Sequence, residues 1–115
     1  MAAISRAEFE DAVNDALDAI PDNLFEAMDN VVIVVEDEPD GRDRHLLGLY
    51  EGVPLTSRVS GGPLWPDRIV IYRGPLQRMC VDRDELVHQI AVTVVHEVAH
   101  HFGISDKRLH DLGWG

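Results

Sequence analysis

The sequence predicts an α+β fold: an N-terminal helix, a small mixed β-sheet, a buried helix and a short C-terminal helix, in a single domain over residues 1–115. Three observations predict it. Apolar residues recur at helical spacing near both ends of the chain, β-branched runs fill the middle, and prolines and glycines fall between the candidate elements. A chain of 115 residues can bury one core without disulfides and is too short for a second.

Ser5 followed three residues later by Glu8 forms a capping box, after which Phe9, Val13, Ala16, Leu17 and Ile20 repeat on one helix face up to Pro21. The carboxylates of Glu10, Asp11, Asp15 and Asp18 fall largely on the opposite side and read as a solvated face. A short turn or helix follows over residues 24–28. The run Val31-Val32-Ile33-Val34-Val35 has no polar alternation, so it predicts a strand covered on both faces. Residues 36–44, with Pro39 and Gly41 among charges, form an exposed turn whose acids lack the loop spacing of a calcium site.

Residues 46–51 form a second strand, stopped by Gly52 and Pro54, and residues 56–66 a loop or edge segment containing Trp65. Residues 68–73 form a third strand, closed by Gly74-Pro75. Asp82 and Glu85 make a second capping box, which opens a helix expected from about Arg83 to Phe102 with Gly103 as its stop. Leu86, Ile90, Val94, Val98 and Phe102 make one apolar stripe and Val87, Ala91, Val95 and Ala99 its neighbour. Between Leu86 and Val95 there is no Asp, Glu, Lys or Arg, so this helix is largely buried.

The chemistry sits at the end of that helix. Each residue advances about 100° around an α-helix, so His96 and His100 stand one turn apart with both imidazoles on one face, a two-point metal clamp. Glu97 lies a quarter-turn from His96, placed to address a water rather than to join the clamp, and is the candidate general base. Gly103 can turn the chain back, and Asp106 can return a carboxylate to the same ion. Two imidazoles, one carboxylate and an open fourth position are the ligand set of a catalytic Zn2+ site. His110, in the final segment, competes with Asp106 for the third position or serves as a donor to the transition state, alongside Tyr72, Arg73 and Arg108. His88 lies two turns from His96, and His101 points away from the clamp and is assigned a structural role.

The stretch His96-Glu97-Val98-Ala99-His100-His101-Phe102-Gly103-Ile104-Ser105-Asp106 reads H-E-x-x-H-x-x-G-x-x-D. In it the sequence resembles the zincin metallopeptidases, and more narrowly the metzincin-type motif with Asp as third ligand. It also resembles a small bacterial zincin-like family of this chain length, whose Tyr-Arg-x-Pro-Leu run ahead of the motif helix is here Tyr72-Arg73-Gly74-Pro75-Leu76. The resemblance implies a zincin-like fold, a zinc cofactor at His96, His100 and Asp106, and hydrolysis of a peptide or protein substrate with Glu97 as base. The methionine turn of metzincins follows the third ligand; no Met follows Asp106 here.

Composition narrows the partners. The formal charge of −11 opposes binding to nucleic acid or to an anionic membrane, and no uncharged run reaches transmembrane length. The single cysteine, Cys80, and the absence of a signal-like N-terminus lead to an expected cytoplasmic location. An extended peptide is expected along an edge strand, residues 46–51 or the 56–60 segment. The alternative is a non-catalytic zinc-binding or interaction module of the same fold. RNA-processing zincins, with three histidines in H-x-x-x-H-x-x-x-x-x-H, are disfavoured by Glu97, Asp106 and the acidic balance.

Overall fold

The computed structural model describes residues 2–28, 30–41, 43–53 and 66–111 and, of these, Asp106, Leu109 and His110 by their backbone alone. The expected loop around Trp65 and the alternative edge at residues 56–60 therefore lie outside the described residues.

Helix α1 runs from Arg6–Asp18, and the Ser5 hydroxyl accepts the Glu8 N–H at 3.1 Å, as the capping box requires. It buries Phe9, Val13 and Ala16 and leaves its acidic face exposed. A short helix, α2 (Asp22–Ala27), with no buried residue, leads into the sheet. Strands β1 (Val31–Glu36), β2 (Gly48–Glu51) and β3 (Asp67–Tyr72) are ordered β1-β3-β2, with β1 parallel and β2 antiparallel to β3. The sheet is mixed, as expected.

The covered strand is a different one from that expected. β1 flanks the described sheet, Val35 is the one buried residue of its apolar run, and Val32 is 44% exposed. β3 is central instead, with Ile69, Val70, Ile71 and Tyr72 all buried. Burial on both faces is set by a strand's place in the sheet, which its own composition does not encode.

Gly74-Pro75 does not close β3 into a loop. The chain passes directly into α3 (Arg73–Met79), where Pro75 sits in the first turn, a place where a helix has no use for the missing N–H. Helix α4 (Arg83–His101) begins where the sequence places it: the Asp82 carboxylate accepts the Glu85 N–H at 2.8 Å. The chain turns after it into α5 (Asp106–Asp111), whose first turn is capped by the Ser105 hydroxyl accepting the Arg108 N–H at 3.2 Å.

α4 packs against α1, β2 and β3. Leu86, Ile90 and Val94 are fully buried, and with Phe9, Val13, Val35, Ile69, Ile71, Leu76 and Val98 they form the core. Each such burial contributes about 1.5–3 kcal/mol, so α4 is rigid before any site is built on it. Among the described residues no helix is long and apolar enough to cross a membrane.

Candidate metal centre

The last two turns of α4 carry the clamp. His96 and His100 are both half-buried, with ring centroids 4.8 Å apart and planes inclined at 77°. They stand side by side on one face of a helix whose opposite stripe is anchored in the core, so neither imidazole depends on a mobile segment for its placement. The helix end is closed by a paired turn: the Gly103 N–H reaches the His100 carbonyl at 2.9 Å and the Ile104 N–H reaches that of Ala99 at 2.9 Å, with Gly103 at φ 84°. This is the Schellman arrangement, and it brings the chain round into α5 as the glycine predicts. The α4 C-terminus also places the negative end of its helix dipole near His100, which would favour a cation there.

Glu97 is 93% buried, since only 7% of it is exposed. Together with His96 it lines a groove of about 270 Å³, whose other walls are Gln89, Val92 and Thr93 of α4 and Leu46, Leu47 and Gly48 at the start of β2. Gly48 is the residue that makes room for the carboxylate. A Cβ there would stand 2.8 Å from Thr93 Cγ2 and 3.1 Å from both Glu97 Cγ and Oε2. Thr93 cannot swing aside cheaply, because its hydroxyl donates to the Gln89 carbonyl at 2.8 Å and fixes its rotamer. Sequence reading passed over Gly48, although a glycine inside a strand pattern is itself a sign of close backbone approach.

The remaining candidates separate clearly. His88 is exposed. His101 is fully buried on the sheet side of α4, with Nδ1 2.9 Å from Asp67 Oδ2, in keeping with a structural role. Tyr72 and Arg73, expected as possible transition-state donors, lie elsewhere. Tyr72 opens on a different groove with Glu36, Asp40, Leu49 and Arg68, and Arg73 bonds Asp37 at 3.2 Å and the Ile4 carbonyl at 3.1 Å. The alternation of β3 turns Ile69 and Ile71 toward the core and Tyr72 to the opposite face. Cys80 is buried in the core away from this groove, and that burial, with smaller contributions from Glu85 and Asp82, raises its thiol pKa.

Among the described residues no three His, Cys, Asp or Glu side chains come together as a metal site. The side chains of Asp106 and His110 lie outside the described residues, so the described part of the centre is the pair His96 and His100 with Glu97 beside it. That donor chemistry suits zinc: two adjacent imidazoles on a rigid helix, half open to solvent, next to a carboxylate that lines the same groove.

The comparisons with known proteins bear on the family and the fold. A family model described as "Zincin-like metallopeptidase" matches residues 28–114. Among solved structures, a conserved hypothetical protein from T. thermophilus superposes with a TM-score of 0.59 at 19% identity, over 95% of this chain and 97% of the other. At that identity the likeness speaks for the fold alone. No curated protein matches the sequence. The family match covers three quarters of the chain and includes the whole of α4, and on that ground this protein belongs to the zincin-like metallopeptidase family.

Proposed function

We propose that this protein is a zinc-dependent peptidase in which His96, His100 and Asp106 hold Zn2+ and Glu97 is the general base. The observation that carries the reading is the groove shared by His96 and Glu97, walled on its far side by the start of β2. A bound zinc ion would supply Lewis acidity there, lowering the pKa of a water toward about 7 and polarising the scissile carbonyl. Glu97 takes the proton from the attacking water and returns it to the leaving nitrogen. Its burial serves that cycle, because a carboxylate with restricted access to bulk water holds its proton for delivery. β2 flanks the described sheet, so an extended peptide pairs along it and sets a side chain among Leu46, Leu47 and Val92. The groove is small, which suits a narrow substrate range. The lone buried thiol and the acidic balance favour a cytoplasmic protein acting on a peptide or protein rather than on nucleic acid.

The test is hydrolysis of a mixed quenched-peptide library by wild type and Glu97→Gln. The expected result is cleavage by wild type and a loss of about 10²–10⁴-fold in the variant, with zinc retained. Equal rates would rule out Glu97 as base. Stoichiometric zinc with no cleavage of any peptide would shift the assignment to a non-catalytic zinc-binding module.

A further inference from the structure

Behind the clamp lies a polar knot that the proposed reaction does not use. Asp67, the first residue of β3, is 1% exposed, and His101, the last residue of α4, is fully buried. A carboxylate this deep persists only when its oxygens are bonded. Asp67 Oδ2 accepts the Tyr50 hydroxyl and lies 2.9 Å from His101 Nδ1; Oδ1 accepts the Val53 N–H at 3.3 Å. Carboxylate oxygens only accept, so the Nδ1–H of His101 is the donor. The backbone is shaped around this group: Gly52 adopts φ 150°, and a Cβ there would collide with the Asp67 carboxylate. A side chain at that position would push the segment carrying the Val53 N–H off the carboxylate.

One carboxylate thus ties β2, β3 and the end of α4 together. The consequence reaches the adjoining groove, because Glu97 stands one turn before His101 on the side of α4 that faces β2. Tyr50 is two residues from Gly48, on the same strand face, and His101 is the direct neighbour of His100. At about 100° per residue, holding His101 against the sheet fixes the rotation of the last turn, and so the direction in which His100 points. The same bond holds the wall that carries Gly48 against the wall that carries Glu97.

We infer that Asp67, through His101, is a positioning residue for the metal centre, an inference that rests on the zinc-peptidase reading above. His100 in α4 and Gly48 in β2 are held in register by this one buried group, and the clamp closes correctly only while the knot is intact. Groups that orient metal ligands from behind typically change metal affinity about 10–100-fold when removed, and the knot belongs with them although His101 is no ligand.

The experiment compares His101→Leu, His101→Asn and, as a core control elsewhere on the helix, Ile90→Ala. Zinc affinity is measured by chelator competition and stability by thermal melting. Amide hydrogen exchange is followed at residues 102–104 and 86–94 in zinc-free protein. Removing the bond in His101→Leu should weaken zinc about tenfold or more and speed exchange at residues 102–104 by a similar factor, with residues 86–94 unchanged. Asn offers an amide donor close to the Nδ1 position, so His101→Asn should recover zinc affinity to within about threefold of wild type. Ile90→Ala should lose at least as much thermal stability yet keep zinc affinity within about twofold. Zinc affinity that simply follows melting temperature across the three variants would overturn the positioning role, as would a His101→Leu protein with wild-type affinity. Wild type that binds no zinc, while His101→Leu still loses protection at residues 102–104, would refute the peptidase reading and with it the knot's purpose, leaving a purely structural tie.

Discussion

Residues 83–94 and residues 95–101 of α4 belong to one helix but hold to the molecule by different means. The first part is anchored by shape: Leu86, Ile90 and Val94 are fully buried among aliphatic neighbours, and a capped N-terminus fixes its start. The second part adds polar ties to packing: Val98 still joins the core, but His101 bonds a buried carboxylate, Glu97 packs against a glycine backbone, and His96 and His100 stand side by side. Packing is tolerant of small changes, whereas a buried polar bond depends on specific atoms. The helix therefore differs along its length, with aliphatic packing dominant in the first three turns and the candidate metal centre in the last two.

That division is open to being broken from either side. The largest effect on folding is expected from Ile90→Ala, which should cost about 2–5 kcal/mol through the lost burial and the cavity left behind. Denaturant unfolding measures that loss, and the activity per folded molecule should stay near wild type. Equal losses of stability and of specific activity would mean that the two halves are not separable. Gly48→Ala tests the opposite side. The added methyl must move Thr93 or Glu97, so kcat should fall about 10–100-fold while zinc affinity changes little, and the clash with Thr93 should lower the melting temperature as well. A variant with full kcat would show that Glu97 needs no such clearance.

The smallest effect belongs to a region remote from both halves. Arg78 forms two bonds of 2.8 Å to Glu38, and these hold the Glu38 carboxyl below its ordinary 4.5. A depressed carboxylate pKa contributes stability that is complete above the ordinary value and is lost as pH falls through the depressed one. Both partners are solvent-exposed, so the contribution is slight. An NMR titration should place the Glu38 midpoint below 4.5 in wild type and restore it to the ordinary range in Arg78→Gln, with zinc binding at neutral pH unaffected. Altered zinc affinity in Arg78→Gln would show that this surface is coupled to the clamp.

What the sequence made legible follows the same division. Local signals were reliable: both caps, the α1 face, the apolar stripe of α4 and the turn at Gly103 are read from residues within a few positions of one another. The spacing of His96, Glu97 and His100 is local too, and the structure brings these three together on one helix end. Features that depend on pairing were not legible. Five β-branched residues in β1 look more buried than the run in β3, but only the strand order decides which of them is central. Gly74-Pro75 carries the composition of a stop, yet proline is compatible with the first turn of α3, and the packing of Leu76 into the core selects the helix. The Asp67 to His101 bond joins residues 34 apart, and an Asp ahead of an apolar run looks like any turn residue.

The most direct test of the central claim is the zinc content of the purified protein by plasma mass spectrometry, after zinc reconstitution, for wild type, Asp106→Ala and His110→Ala. With two imidazoles and one carboxylate as ligands, wild type and His110→Ala should hold about one zinc per chain and Asp106→Ala should lose it. Zinc lost from His110→Ala and kept by Asp106→Ala would reverse the assignment of the third ligand, and wild type that holds no zinc would contradict the metal centre itself.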